Sequence, residues 1–528
     1  MHELLVLNEE NPFKVRAFEK AAAAVAGRTD LEERARAGTL TELEGIGKGI
    51  AAVLTEYLVA GKTTERDGLR AKLPEGLWAL TRLSGLGPKK ARQVIDELGI
   101  TSVGELEYAC RENRLLKIKG FGEKAQEKIL DSIEFSRKNE GKLRIDTAFA
   151  WARKFIARLD GLPGAKKAFY SETGALRRRL EVVERLEFLI DESFAGPSSR
   201  ALETMCSEDP IAVPVQILTA PARRFGYELA RTTATAEHWQ ALGAPEPFDA
   251  PDEAAFFSRL ALPVIPPEMR ETAESVRWAK EGALAKVLPW DGIRGVFHNH
   301  TIRSDGAATL EEMVLAAKKR GYSYIGISDH SQSAFYAQGL KLPELLTQEK
   351  EVRALQEKHP EIRIFWGIES DILVDGSLDY EAQVLKKFDF VVASIHSRFQ
   401  MGREAMTDRL LEAVRHPATR FLGHVTGRLL LGRKGYDCDL ERVIREAARC
   451  DVAIEINANP ARLDIDWRWG GQLRQAGTLV SVNPDAHDIQ GLDDTVFGVA
   501  VARKALLPAV QVVNARSVED VARWLKRG

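Results

Sequence analysis

Histidine and carboxylate residues recur after short apolar runs in the carboxy-terminal half of the chain. His298 and His300 alternate directly after Gly295-Val296-Phe297, which places both imidazoles on one side of a short strand. Further residues of the same chemical types follow at Asp305, His330, Glu369, His396, His424, Asp485 and His487. Imidazole mixed with carboxylate suits zinc, manganese or iron, and this many donors predicts a cluster of two or three divalent ions.

The apolar runs that precede these residues are short enough to be strands, and helical patterns separate them. Strands that alternate with helices build a parallel barrel, whose functional face is formed by the carboxyl ends of its strands. Any one histidine is as easily a hydrogen-bonded core or surface residue. It is the placement of all of them at strand ends that favours a metal site over that structural alternative.

Composition sets the broad class of the protein. The chain has 528 residues, 45% of them hydrophobic, which is enough for several domains. It has no apolar run as long as a membrane span and no basic-then-apolar leader, so we expect a cytoplasmic protein. The four scattered cysteines show no disulfide or metal spacing, and the net charge of −2 argues neither for nor against nucleic acid.

Three similar turns punctuate a helical pattern in the first 140 residues: Gly45-Ile46-Gly47, Gly85-Leu86-Gly87 and Gly120-Phe121-Gly122. Each is followed by an amphipathic pattern, as in helix-hairpin-helix motifs, where backbone amides at the helix start bind phosphate without reading sequence. One such turn is also a common packing device between helices, so the repetition carries the interpretation. The candidate DNA-binding residues are Gly45, Gly47, Lys48, Gly85, Gly87, Lys89, Gly120, Gly122 and Lys124.

These features together resemble a bacterial family X DNA polymerase with a carboxy-terminal PHP (polymerase and histidinol phosphatase) domain, over essentially the whole chain. The resemblance implies a multidomain α/β protein with a helix-hairpin-helix amino-terminal region, an α+β nucleotidyltransferase-like palm and a distorted (β/α)7 PHP barrel. The expected domains are residues 1–75 (helical, first hairpin), 76–140 (further hairpins), 141–235 (palm), 236–289 (shortened thumb and linker) and 290–528 (PHP phosphoesterase).

The resemblance also implies roles for individual residues. Asp305, His330 and Arg428 are the expected catalytic residues, and Arg398, Arg428 and Arg462 are candidates for phosphate contact, although each arginine is equally readable as a surface charge. All nine family metal positions are filled, by His298, His300, Asp305, His330, Glu369, His396, His424, Asp485 and His487.

The palm departs from the family pattern. Where the family has a Gly-Ser pair, two arginines and an Asp-x-Asp pair, this chain has Gly174-Ala175, Arg177-Arg178 and Arg185-Leu186-Glu187. Pro214 stands where the third palm aspartate is expected. Two-metal nucleotidyl transfer needs clustered carboxylates, so we expect the polymerase site to be inactive.

The expected function is therefore a metal-dependent 3′-5′ DNA exonuclease in repair, which binds gapped DNA or 3′ ends without sequence preference. Two or three zinc, manganese or iron ions are the expected cofactors, with manganese supporting activity. The alternatives are an active gap-filling polymerase, a histidinol-phosphatase-like enzyme and a DNA-binding scaffold without catalysis. The sequence leaves the oligomeric state undetermined and is compatible with a monomer. It indicates no membrane association.

Overall fold

The computed structural model describes residues 1–8, 10–25, 28, 30–73, 77–81, 83 and 85–526. The chain forms two compact units, Met1–Glu140 and Gly141–Gly528. The expected domain boundary between residues 75 and 76 and the end of the last expected domain at residue 528 lie outside the described residues. Within the described ranges, no helix combines the length and apolar character needed to cross a membrane.

The amino-terminal unit is helical. Leu86, Val94, Leu106, Leu115 and Ile129 are fully buried in one of its cores, because the apolar residues of each helix recur on one face. Its helices are His2–Leu7, Pro12–Val25, Leu31–Ala37, Lys48–Ala60, Thr64–Ala71, Leu77–Thr81, Pro88–Leu98, Val103–Arg111 and Glu123–Asn139.

The second unit begins with a small α+β layer, as predicted. Strand Leu186–Asp191 lies in the middle of a three-stranded sheet, antiparallel to Tyr170–Thr173 and parallel to Val215–Ala220. A second, two-stranded sheet pairs Leu143–Arg144 with Val182–Val183. The helices of this layer are Ile145–Asp160, Gly174–Arg177, Ala195–Glu208 and Phe225–Thr233.

Residues 236–289 connect this layer to the barrel through the short helices Ala236–Ala241, Glu253–Arg259 and Glu274–Lys280. The stretch between the first two helices is irregular and contains Pro245, Pro247 and Pro251. Phe248 in that loop stacks on Phe256 with ring centroids 5.6 Å apart, so the connection has an aromatic core of its own.

The rest of the second unit is a nearly closed parallel barrel, which confirms the predicted architecture. Seven strands pair in chain order, and a bridge between Asn299 and Ala486 brings the first strand beside the last. The strands are Gly295–Val296, Tyr324–Ile327, Arg363–Asp371, Phe390–Ser394, Thr419–Leu422, Ala453–Asn457 and Val480–Asn483. The helices around them are Leu310–Lys319, Leu342–Lys358, Ala382–Leu385, Arg403–Arg415, Leu440–Arg449, Gly470–Ala476, Thr495–Lys504 and Val518–Leu525.

An aromatic layer fills the end of the barrel where the strands begin. Phe297, Tyr324, Phe365, Phe390 and Phe421 pack against one another there, and the last helix covers them. This apolar plug leaves the carboxyl ends of the strands as the polar face of the barrel.

Candidate metal centre

The ligand-type side chains predicted from sequence lie together at the carboxyl ends of the barrel strands. His298 and His300 directly follow the first strand, and Glu369 lies near the end of the third. All nine residues fall into four overlapping groups, and the candidate ligand atoms of each group lie within 4.8 Å of one another. The groups are His300, Asp305, His330 and His487; His298, His300 and Asp485; His298, Glu369 and His424; and His330, Glu369 and His396.

Glu369 is the centre of this arrangement. Its Oε1 lies 3.2 Å from His298 Nε2, 3.0 Å from His424 Nε2 and 3.3 Å from His396 Nε2. Its Oε2 lies 3.0 Å from His330 Nδ1. One carboxylate therefore faces imidazoles from four different strand ends and belongs to two of the four candidate groups.

Several of these polar atoms are buried without a hydrogen-bond partner among the described residues. They are His298 Nε2, both ring nitrogens of His300, and Glu369 Oε2. Burying unpaired polar atoms costs free energy, and native proteins rarely leave them so. Nitrogen and oxygen lone pairs that converge without forming hydrogen bonds fit divalent cations, so the donor set is suited to the expected metals.

The electrostatics of the cluster favour the binding of cations. Burial lowers the pKa of His300, helped by nearby His487 and His330, to about 3, so this imidazole is neutral at pH 7. Burial raises the pKa of Asp305, but the hydrogen bond from His487 and the neighbouring His300 and His330 together outweigh it and hold the pKa at about 2. Glu369 is likewise held well below its ordinary pKa against burial, by neighbouring histidines that begin with His298. Against burial, carboxylates that begin with Glu455 raise the pKa of His298 well above its ordinary value, and carboxylates that begin with Glu369 raise the pKa of His396 to about 9. Metal binding, which requires neutral imidazoles and ionised carboxylates, would therefore release protons from these two histidines.

Two carboxylates that sequence reasoning missed orient the histidines from behind. Glu455 Oε1 lies 2.8 Å from His298 Nδ1, and Asp371 Oδ1 lies 2.6 Å from His396 Nδ1. Such partners fix the orientation of a metal-binding imidazole. The sequence signal for Glu455 is the alternation in Ala453–Asn457, which puts Glu455 on the same side of the strand as Asn457. The structure adds that Asn457 donates to Asp485.

The three candidate arginines have different surroundings. Arg428 donates to the carbonyls of Arg462 and Leu463 and pairs with Asp466, so its guanidinium holds a loop, and this placement favours a structural role over the catalytic one expected. The Nε of Arg462 lies 3.5 Å from Asp485 Oδ2, at the edge of the cluster. Arg398 is exposed two residues beyond His396.

The α+β layer at the start of the second unit lies where the palm is expected, and we call it the palm-like layer. It has a carboxylate, that of Glu187, at one of the positions where the family pattern has an aspartate. Glu187 sits between Thr173 and Gln216 on the neighbouring strands, and a Cβ at Gly174 would collide with its carboxylate. Arg185 and Pro214 are exposed. The strand register thus places a neutral side chain on each side of Glu187.

The two arginines of that layer are occupied by ion pairs. Arg177 makes a double hydrogen bond to Glu253 at 2.8 and 2.7 Å, and the Nε of Arg178 lies 3.1 Å from Glu271. All four side chains are largely buried. These guanidiniums are therefore held by the connecting segment rather than offered to a triphosphate.

The three glycine turns of the amino-terminal unit share one geometry. The first glycine of each, Gly45, Gly85 and Gly120, has a positive φ between 86° and 92°, a conformation that suits glycine. The second glycine of each caps a helix, namely Lys48–Ala60, Pro88–Leu98 or Glu123–Asn139. Lys48, Lys89 and Lys124 are exposed near these helix starts. Each turn thus presents free backbone amides beside a cation, which suits a phosphate.

Comparisons with known proteins agree with this arrangement. Three domain families match segments of the chain: a PHP domain at residues 297–459, a helix-hairpin-helix domain at residues 1–63 and a SAM-like helix-hairpin-helix tandem at residues 79–134. The DNA polymerase/3′-5′ exonuclease PolX of Bacillus subtilis (strain 168) is 34% identical over 558 residues, covering 99% of this chain and 96% of that relative.

Other relatives match a part of the chain. A probable phosphatase of Caldanaerobacter subterraneus subsp. tengcongensis is 28% identical over 252 residues, covering 43% of this chain and 89% of the phosphatase. Among solved structures, a histidinol phosphate phosphatase of Lactococcus lactis, complexed with zinc, L-histidinol and phosphate, matches 40% of this chain and 93% of its own at 17% identity, with a TM-score of 0.30.

Proposed function

The chain belongs to the PolX family of bacterial family X DNA polymerases with a PHP domain, and from this membership we propose that it is a metal-dependent 3′-5′ DNA exonuclease with an inactive polymerase site. The observation that carries the proposal is the convergence of nine ligand-type side chains at one face of the barrel. The helix-hairpin-helix unit supports DNA as the substrate. The setting we propose is the repair of gapped DNA or 3′ ends in the cytoplasm.

In this proposal the four groups of side chains would hold two or three zinc, manganese or iron ions, and Glu369 belongs to two of these groups. When bound, such ions supply Lewis-acid activation of water and of a phosphodiester. The protein contributes by fixing the ligands: Glu455 and Asp371 hold the imidazoles of His298 and His396 in place, so little reorganisation is needed during the reaction.

The substrate enters on the side of Asp305 and His487 in this proposal. Their side chains are 30% and 39% exposed, whereas those of His298 and His300 are fully buried. Arg462 lies beside Asp485, and Arg398 is exposed two residues after His396. Both can pair with phosphates of the incoming strand.

The runner-up function is hydrolysis of small phosphomonoesters, which the probable phosphatases among the relatives favour. It leaves the three glycine turns without a role. The polymerase alternative is favoured by family membership, but Glu187 stands among neutral partners and the two palm arginines are held in buried ion pairs.

The decisive experiment uses full-length protein purified without chelator. With manganese, the wild type should shorten a 5′-labelled oligonucleotide from its 3′ end. His300→Ala and Asp485→Ala should lower the rate by at least about 100-fold and lose metal in elemental analysis. His359→Ala is the matched control, because that histidine lies beside Glu311, outside the cluster. Equal degradation by all four proteins would assign the activity elsewhere, and phosphate release from histidinol phosphate without DNA degradation would favour the phosphatase.

A further inference from the structure

Large apolar side chains are exposed around the face of the barrel that carries the metal centre. They follow the first three strands: one lies between the ligands His300 and Asp305, three follow His330, and two follow Glu369. The residues are Ile302, Phe335, Leu342, Leu346, Leu373 and Val374. Exposed apolar groups gathered at one rim mark a binding surface more often than a single exposed residue does.

Phe335 is the most exposed of these residues, at 82%. It lies at the tip of a loop, residues 331–340, whose two ends are tied to the metal-centre strands. Ser331 N donates to the carbonyl of Glu369 at 3.0 Å, and Leu340 N donates to the carbonyl of His330 at 2.9 Å. The loop thus starts and finishes against two metal-centre residues.

One contact to Asp379 and one within the loop hold its shape. Ser333 N donates to Asp379 Oδ2 at 2.7 Å, and Gly339 N donates to the carbonyl of Ala334 at 3.1 Å. A Cβ at Gly339 would collide with the carbonyl of Ser331, so the chain crosses itself where only glycine fits. The exposed ring of Phe335 is therefore presented by an anchored loop.

Chain length limits how far this ring lies from the cluster. Phe335 lies five positions after His330, which keeps their Cα atoms within about 17 Å of each other. Apolar residues on this rim are interrupted by charges, since Arg303, which follows Ile302, pairs with Glu351 on the neighbouring helix. An exposed ring with charged neighbours is better suited to bind a flat group of nucleobase size than to form part of a continuous protein interface.

We propose that Phe335 is a stacking platform for an unpaired base within the last two nucleotides of the strand whose 3′ end enters the metal centre. Aromatic side chains stack on single-stranded bases without regard to sequence. Such a platform directs the site towards single-stranded or frayed 3′ ends and away from small phosphate esters. This proposal rests on the exonuclease function proposed above.

The test compares two single-stranded oligonucleotides that differ only at the 3′ end. One carries normal nucleotides, and the other carries abasic tetrahydrofuran residues at its last two positions; the rate of the first cleavage is measured with manganese. We expect Phe335→Ala to lower kcat/KM about 10-fold on the normal strand and less than about 2-fold on the abasic strand. Phe335→Tyr should restore the normal rate, because a stacking ring is returned.

Val510→Ala is the control, because Val510 is 79% exposed and lies beside Arg523 and Trp524 of the last helix, which covers the opposite end of the barrel. Metal content is measured for every variant. If Phe335→Ala lowers kcat/KM equally on both strands, Phe335 only supports the site. If it lowers kcat/KM on neither strand, the ring serves another partner. Either result overturns the stacking platform but leaves the exonuclease function intact. If the metal-loaded wild type cleaves neither strand, the proposed function and the platform fail together.

Discussion

Glu455 holds His298 from behind the metal centre, with its Oε1 2.8 Å from the imidazole Nδ1. Its other oxygen accepts the backbone N–H of His424 at 2.8 Å, so one buried carboxylate positions two strand ends. We expect Glu455→Gln to lower metal affinity by about 10- to 100-fold, because a neutral amide lacks the negative charge that pairs with the N–H at His298 Nδ1. Competition with a chromophoric chelator measures this affinity.

Glu441→Gln serves as the control for that measurement, because Glu441 pairs with Arg445 on an exposed helix surface. Unchanged affinity in Glu455→Gln, with folding verified by circular dichroism, would contradict an orienting role for Glu455.

The palm-like layer should not extend primers. Glu187 has Thr173 and Gln216 as strand neighbours, and one carboxylate cannot hold both magnesium ions that nucleotidyl transfer needs. With the exonuclease silenced by His300→Ala, we expect no nucleotide incorporation on gapped DNA above background. Robust incorporation that disappears on Glu187→Ala would restore the polymerase function.

The glycine turns should bind DNA through their backbone. Gly87 and Gly122 cap helices, and a Cβ at either meets no atom of the described residues within 4 Å, so Gly87→Val with Gly122→Val leaves room in the fold. The added side chains would instead stand where a phosphate approaches. We expect affinity for duplex DNA to fall about 10-fold or more and the wild-type affinity to fall steeply with salt, since bound phosphates release counterions.

Gly104→Val provides the matched control for the turns, because Gly104 has equally open surroundings but lies at the start of helix Val103–Arg111, outside the three turns. Fluorescence anisotropy with a labelled duplex measures all three proteins. Unaltered binding by the double variant, or binding that ignores salt, would remove the turns from the DNA interface.

His238 should make the stability of the second unit depend on pH. Burial lowers its pKa to about 4, with its Nδ1 3.3 Å from the carbonyl of Thr272. The unfolded chain takes up a proton near pH 6.5 that the folded chain refuses, so this contribution is complete above that pH and is lost as the pH falls towards 4. Between pH 7 and 5 the wild type should lose about 2 kcal/mol more than His238→Gln.

Urea unfolding followed by tryptophan fluorescence at the two pH values measures this difference. Any effect of the metal ligands is common to both proteins and cancels in the comparison. Identical pH dependence in wild type and variant would show that His238 is protonated equally in the folded and unfolded states.

The fold could be predicted largely from local patterns. Apolar runs that end in histidine or carboxylate predict barrel strands with a polar carboxyl-end face, and the helical pattern between Gly turns predicts the hairpins. Both signals depend on residues a few positions apart, where backbone periodicity decides which side chains share a face. Glu455 escaped prediction because a single acid within a buried strand looks like any other polar interruption.

The sequence by itself determined which residues are able to bind metal, because a strand end fixes where a side chain points. Only the tertiary structure decided that Glu369 is shared by four imidazoles, that Glu455 supports His298 from 157 positions away, and that Arg428 is tied into a loop. These relationships join separate strands, and their distances depend on how the barrel curves and on the register between its strands. Neither quantity is encoded in the spacing of residues along the chain.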